Sequence, residues 1–203
     1  MKSAKVKVSH HSSTLGGRRS SVSGQGWDTR GGDETLTARH VADSQVRLSV
    51  GMNPQDANAL GDVHGGIIMK LVDEAGGIAA TKHARNICVT VAVDSMTFLS
   101  PVHVGDLLTL SASVNWVGHT SIEVGVRVEA ENILSGKVTH TNSAYLVYVA
   151  LDSYGRPTPV PPLVVESEDE RRRWEEGAAR QAHRLKQSHK EMAHSPKGQE
   201  TVD

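Results

Sequence analysis

Hydrophobic positions recur with two different periods along the chain. Between residues 61 and 84 they are spaced four apart, which predicts a helix with one buried face; that face consists of Ile67, Leu71, Ala75 and Ala79. Residues 45–50 instead alternate polar and apolar side chains, which is typical of a half-buried strand. Turn formers at residues 52–61 predict a loop between the two. Within the helix, Gly76 and Gly77 predict close packing against another backbone.

Four further strands follow the helix in the predicted order. Residues 87–99 are apolar on both faces, which predicts burial on both. Residues 108–116 and 122–131 each alternate apolar and polar, so they predict a hairpin with one solvated face, closed by a reversal at residues 118–120. A last long strand covers residues 138–151. One apolar helix and an antiparallel sheet with one dominant apolar face predict an α+β fold, with the sheet wrapped around the helix.

The ends of the chain differ from its centre in composition. The N-terminal part is rich in Ser, Gly and Arg and poor in acids, which favours disorder. That composition also resembles an organellar transit peptide, although no amphipathic stripe accompanies it. Near the other end, Ser167 and Glu170 are spaced as a capping box, which predicts a charged helix that touches the body or a neighbouring subunit through Trp174. The predicted organisation is a disordered tail at 1–40, one domain at 41–165, a charged helix at 166–190 and a disordered tail at 191–203.

Composition narrows the classes of function. The 203 residues carry a formal net charge of −1, which gives no bias toward nucleic acid or an anionic membrane. No apolar run approaches the roughly 18 residues of a membrane span. The single cysteine, Cys88, is compatible with a reducing compartment, and we expect it to lie in the core. We therefore expect a cytoplasmic protein with no membrane or nucleic-acid partner. The scattered histidines predict no metal site.

Two adjacent carboxylates, Asp73 and Glu74, interrupt the apolar helix. A carboxylate in such a place is costly unless it is paired or used by a site. The plain alternative to a functional role is a carboxylate that faces solvent or pairs with a helix neighbour such as Lys70. At the start of the same helix, the free N–H groups of Gly65 and Gly66 can polarise a carbonyl. About 10 Å of helix separates the two features at roughly 1.5 Å per residue, so a site using both predicts a two-fold dimer.

Three motifs carry a resemblance to a known family. They lie at residues 61–77, 94–106 and 145–151, and their order and spacing resemble those of the hotdog-fold acyl-CoA thioesterases. The resemblance implies hydrolysis of acyl-CoA to a carboxylic acid and CoA, with no cofactor beyond the CoA of the substrate and product. It also implies a homo-oligomer, a dimer with sites at its interface and often a hexamer built as a trimer of dimers.

The resemblance also assigns roles to individual residues. Asp73 corresponds to the catalytic carboxylate, acting as general base on water or as nucleophile, and His64, Gly65 and Gly66 match the turn that holds the thioester carbonyl. Asp62 stands where double-domain relatives carry an asparagine, which leaves the asparagine role unassigned; Asn58 is a weak substitute. The implied CoA contacts are Val89, Thr90, Gly118, His119, Thr120, Ser121 and the cationic candidate Arg85.

Three other possibilities remain open from the residues alone. A hotdog enoyl-CoA hydratase or dehydratase uses a histidine with an acid, and His64 near Asp62 keeps that possibility. A non-catalytic acyl-CoA sensor would keep the fold and bind without turnover, although the N-terminal tail shows no DNA-reading pattern. A scaffold that only oligomerises is the third possibility.

Overall fold

The computed structural model describes residues 36–194, with side chains described to residue 187. The predictions for the disordered tails at residues 1–35 and 195–203 lie outside this part of the chain. The elements in chain order are β1 (Arg39–His40), α1 (Val41–Ser44), β2 (Val46–Gly51), a 3-10 turn (Pro54–Asp56), α2 (Gly65–Ala84), β3 (Ile87–Phe98), β4 (Leu107–Val117), β5 (Ser121–Asn132), β6 (Lys137–Leu151), β7 (Leu163–Val164) and α3 (Glu168–His194).

A five-stranded antiparallel sheet in the order β2-β4-β5-β6-β3 holds the core against α2. The buried face of α2, which includes Leu71, Ala75 and Ala79, packs on the inward residues of the central strands. The short strands β1 and β7 form a separate parallel pair. The predicted α+β class, with a sheet around one helix, is confirmed.

The prediction of burial on both faces of residues 87–99 is wrong for the single chain. β3 is the last strand of the sheet and pairs only with β6, so its outer edge has no neighbour among the described residues. Val91 and Val93 are about half exposed there, at 55% and 50%. The sequence pattern shows that both faces of the strand are apolar. It does not show whether the residues that bury those faces belong to the same chain or to another one.

Helix α3 is fixed to the sheet by charge, which the sequence pattern did not predict. Glu123 of β5 was expected on a solvated face, yet it is 0% exposed, because α3 covers that face. Arg180 of α3 donates from Nη2 to its Oε1 at 2.6 Å and lies 3.8 Å above the ring of Tyr145. Arg184 pairs with Asp94 of β3 and lies 3.7 Å from Glu123.

The predicted contact of α3 through Trp174 is a minor one, since that side chain remains 39% exposed. Closest approach occurs at Gly177, where any side chain would collide with Trp116 and Glu123. The predicted capping box is present at the start of the helix. Ser167 Oγ accepts a hydrogen bond from the Glu170 N–H, and the Glu170 carboxylate accepts one from the Ser167 N–H. Within residues 36–194, no helix is both long and apolar enough to cross a lipid bilayer.

A buried histidine near the end of α2 makes the fold sensitive to acid. His83 is fully buried, its Nε2 bonds the Pro161 carbonyl at 2.8 Å, and its Nδ1 has no partner among the described residues. Burial lowers the pKa of His83 below its ordinary value of 6.5. The unfolded chain therefore binds the extra proton first, so stability falls as the pH drops below about 6.5.

We expect His83→Gln to flatten this pH dependence, because glutamine can still donate to Pro161 but does not titrate. Urea unfolding at about pH 7.5 and about pH 5.5 measures the difference for both proteins. The wild-type chain should lose more stability between the two conditions than the variant. Equal losses would contradict the assignment to His83.

Candidate active site

The Asp73 carboxylate projects from the middle of α2 toward two hydroxyl groups of the sheet. Thr90 Oγ1 donates to Asp73 Oδ1 at 2.6 Å. The Tyr148 hydroxyl donates to the Asp73 backbone carbonyl at 3.1 Å and lies 3.4 Å from Oδ1. Thr90 and Tyr148 are register partners on β3 and β6, so their side chains leave the sheet on the same face. Asp73 itself is exposed in the single chain.

The neighbouring carboxylate has a different environment. Glu74 Oε1 bonds Lys70 Nζ at 2.7 Å, one helical turn away, and both side chains are largely solvated. The plain alternative for the two acids, pairing with Lys70, thus applies to Glu74. Asp73 contacts neutral donors, which hold a carboxylate in place without neutralising its charge.

The mid-helix glycines make room for a side chain, and the prediction of close backbone packing is wrong. A Cβ at Gly76 would collide with the phenol oxygen of Tyr148 and stand 3.2 Å from its Cζ. The ring is 1% exposed and fills the space that Gly76 leaves. Glycine at this position therefore lets a buried tyrosine reach the helix backbone beside Asp73.

The predicted turn at the start of α2 is occupied in part by its own cap. His64 is the N-cap residue, and its Nδ1 accepts the Gly66 N–H at 2.9 Å. Asp62 lies on the other side of the turn, with Oδ1 3.8 Å from Nε2 of His103. The histidine and acid expected together for a hydratase, His64 and Asp62, have separate partners here.

An open groove of about 370 Å³ lies beside this turn. Polar atoms reach it from Asn58 and Asp62, whereas Phe98 and Leu99 form an apolar wall. Gly65 also borders the groove, and Asp73 does not. The turn and the carboxylate, both on α2, therefore remain apart within one chain, as their spacing predicted.

The residues assigned to CoA fall into two positions in the fold. Val89 of β3 and Ser121 of β5 are both register partners of Val149 on β6, so they form one row across three strands. Gly118, His119 and Thr120 form the adjoining turn, where Gly118 N donates to Ser121 O at 2.8 Å. Arg85 ends α2 in a left-handed conformation, φ 56°, and is exposed.

Cys88 lies on β3 near this row and is partly buried. Burial raises the pKa of its thiol to about 11, so the group stays protonated and unreactive at neutral pH.

Sequence reasoning missed the two hydroxyl partners of Asp73. Thr90 was assigned to CoA, yet its hydroxyl is already bonded to the carboxylate. Tyr148 drew no functional assignment, although it is the one residue with a polar group in the otherwise apolar run at residues 146–151. That signal was available in the sequence; the register that places it opposite Thr90 was not.

A five-stranded sheet wrapped around one central helix is the fold expected of the hotdog thioesterases, and the exposed carboxylate of Asp73 lies on that helix. Residues 60–137 match the model of the thioesterase superfamily. The uncharacterized acyl-CoA thioester hydrolase YkhA of Bacillus subtilis is 37% identical over 137 residues, covering 68% of this chain and 80% of the relative. The chain belongs to the thioesterase superfamily, which confirms the family predicted from the three motifs.

Solved structures agree with this assignment. A hexameric acyl-CoA thioesterase superposes with a TM-score of 0.73 at 37% identity, covering 75% of this chain and 98% of that protein. The acyl-CoA hydrolase of Staphylococcus aureus, solved with butyryl-CoA and CoA, gives a TM-score of 0.71 at 30% identity and covers 77% and 95% of the two chains. Both are similar along nearly their whole length.

Proposed function

We propose that this chain hydrolyses acyl-CoA thioesters, with Asp73 as the reacting carboxylate. The observation that carries the proposal is the state of Asp73: it is exposed on the central helix, held by Thr90 and Tyr148, and left without the lysine that pairs with Glu74. A carboxylate held by neutral donors keeps its negative charge, which general-base or nucleophilic chemistry requires. The names of the bacterial relatives support the same reaction.

In the proposed reaction, Asp73 removes a proton from water while the water oxygen attacks the thioester carbonyl. The C–S bond then breaks, and the proton returns to the CoA sulfur, giving a carboxylic acid and free CoA. In the second form of the mechanism, an Asp73 oxygen attacks the carbonyl and the C–S bond breaks, so the CoA thiolate leaves and a mixed anhydride forms. Water then hydrolyses the anhydride, which restores the Asp73 carboxylate, releases the carboxylic acid and supplies the proton that the CoA sulfur takes up. Neither form requires a cofactor.

Variants of a relative support the choice of residues. The Staphylococcus aureus hydrolase has been solved with alanine in place of an asparagine, an aspartate and a threonine. The sequence intervals between those three residues equal the intervals between Asn58, Asp73 and Thr90 in this chain. We therefore include Asn58, which borders the groove at the start of α2, as the amide donor to the thioester carbonyl.

The N–H groups at the start of α2 supply the remaining polarisation in this proposal. His64 accepts the Gly66 N–H, so Gly65 is the backbone donor that we assign to the carbonyl oxygen. We assign the pantetheine arm of CoA to the row that contains Val89 and to the adjoining turn at Gly118. Thr120, His119 and Arg85 stay candidates for the phosphates.

A panel of acyl-CoA esters, from acetyl to palmitoyl, tests the function when released CoA is trapped by a thiol reagent. Hydrolysis of any ester at an enzymatic rate is the expected result. Binding without turnover would replace the proposal by a sensor, and hydration of an enoyl-CoA would replace it by a hydratase. The rates across the panel also give the preferred chain length.

We further propose that a second copy of the chain covers β3 and completes the site. The exposed apolar side chains of β3, among them Val91 and Val93, are a surface that a soluble monomer would not keep open. The hexameric state of a similar thioesterase supports an oligomer. Pairing about a two-fold axis would bring Asp73 of one subunit to the turn of the other, since the two are about 10 Å apart on one helix.

Mixed subunits test the shared site. Asp73→Asn and Asn58→Ala chains, each inactive alone, are co-expressed with different tags, and the doubly tagged oligomer is isolated. If the site is shared, each mixed dimer contains one site with both native residues, and we expect about a quarter to a half of the wild-type rate. Activity no higher than that of the separate variants would show that each chain uses its own Asn58.

A further inference from the structure

Two hydroxyl groups converge on one oxygen of Asp73 and leave the other oxygen free of them. Thr90 donates to Oδ1 at 2.6 Å, and the Tyr148 hydroxyl lies 3.4 Å from the same atom. The stronger bond of Tyr148, at 3.1 Å, is to the backbone carbonyl of Asp73. Tyr148 thus contacts both the main chain and the side chain of the residue that carries the proposed chemistry.

Tyr148 is held rigidly enough to act as a reference point. Its ring is 1% exposed within the core and has only two rotatable bonds. The neighbouring helix carries glycine at position 76, where a methyl group would displace the phenol oxygen. The hydroxyl therefore has one position relative to α2, and that position is beside Asp73.

We propose that Tyr148 is a positioning residue, which fixes the Asp73 carboxylate through Oδ1 so that Oδ2 is the oxygen presented to the reacting water or carbonyl. The inference rests on the proposed function of Asp73. Tyr148 acts through Asp73, because its hydroxyl bonds to that residue and its buried ring has no access to substrate. Thr90 is the second donor to Oδ1, and it stands on the exposed strand β3.

The protonation state of Tyr148 suits this role. Burial, and then the negative charge of Asp73, raise the pKa of the phenol above its ordinary value of 10.0. The hydroxyl accordingly remains a donor throughout the neutral range. A donor on Oδ1 holds that oxygen in place, so its loss should leave the Asp73 carboxylate free to rotate.

Tyr148→Phe tests the proposal, because it removes the hydroxyl and keeps the buried ring. We expect kcat to fall about tenfold with little change in KM, since positioning affects the reacting geometry more than substrate binding. Wild-type kcat, or a loss that appears in KM and not in kcat, would overturn the proposal and leave Tyr148 a packing residue.

Tyr145→Phe is the matched control. It makes the same chemical change three residues away on β6, where the ring lies under Arg180 on the other side of the sheet. We expect kcat close to the wild-type value for this variant. A loss of kcat equal to that of Tyr148→Phe would overturn the proposal, because it would trace the effect to general loosening of the strand.

A readout that needs no turnover separates this inference from the proposed function. Crystal structures of the wild-type oligomer and of both variants show the orientation of the Asp73 carboxylate directly. We expect that orientation to change, or to become heterogeneous, in Tyr148→Phe alone. An unchanged orientation would overturn the positioning role, whereas a changed orientation in a protein that hydrolyses no thioester would overturn only the proposed function.

Discussion

Replacement of Asp73 by asparagine is expected to lower kcat for acyl-CoA hydrolysis about a thousandfold, with KM changed little. Asparagine has the same shape and keeps an oxygen that Thr90 and Tyr148 can reach, so the local structure should persist. The amide, however, can neither take a proton from water nor attack a thioester carbonyl. Steady-state rates on the best ester of the panel measure the loss.

Glu74→Gln is the control for this substitution. It removes a charge of the same sign from the adjacent residue and breaks only the exposed pair with Lys70. We expect activity within about twofold of the wild type, since an exposed pair contributes little to stability or to the site. Full activity in Asp73→Asn, or equal losses in both variants, would contradict the role of Asp73.

The largest loss of stability is expected from Glu123→Gln. Arg180 and Arg184 belong to α3, and this change removes the fully buried carboxylate that both of them approach. Breaking a buried ion pair by removal of one partner costs about 3–5 kcal/mol. The midpoint of thermal unfolding should fall by about 6 °C or more, and differential scanning calorimetry measures it.

Glu129→Gln is the comparison on the same strand. Glu129 pairs with Arg127 at 3.0 Å, and the arginine side chain is 53% exposed. An exposed pair contributes less than about 1 kcal/mol, so this midpoint should hardly move. Similar small shifts for both glutamine variants would show that α3 docks through its apolar contacts, and that the charges on Glu123 contribute little.

Local patterns were sufficient for most of the fold. The four-residue spacing from Ile67 to Ala79 predicted α2, and strict alternation predicted the hairpin of β4 and β5. Alternation failed at Glu123, which has the sequence position of a solvated residue. Its burial depends on α3, whose glycine at position 177 lies far away in the chain, so no local window contains both.

The candidate site was predicted less completely. The residues alone gave no reason to prefer Asp73 over Glu74, and the family resemblance made that choice. The structure separates them physically, since Glu74 pairs with Lys70 and Asp73 meets Thr90. The contact with Thr90 depends on the register of β3 and on the bulge that follows Thr90. Register and bulge are set by pairing between strands that are distant in sequence, so the local pattern could not predict them.

Strand β3 constrains how this enzyme can diverge. Within five positions it gives Thr90 to the carboxylate, Val91 and Val93 to the uncovered edge, and Asp94 to Arg184 of α3. Under the proposed function, a substitution in this short segment would alter catalysis, assembly or helix docking. The apolar wall formed by Phe98, the last residue of β3, and Leu99 lies outside this five-residue segment. We therefore expect acyl preference to change by substitution at that wall, with the segment kept.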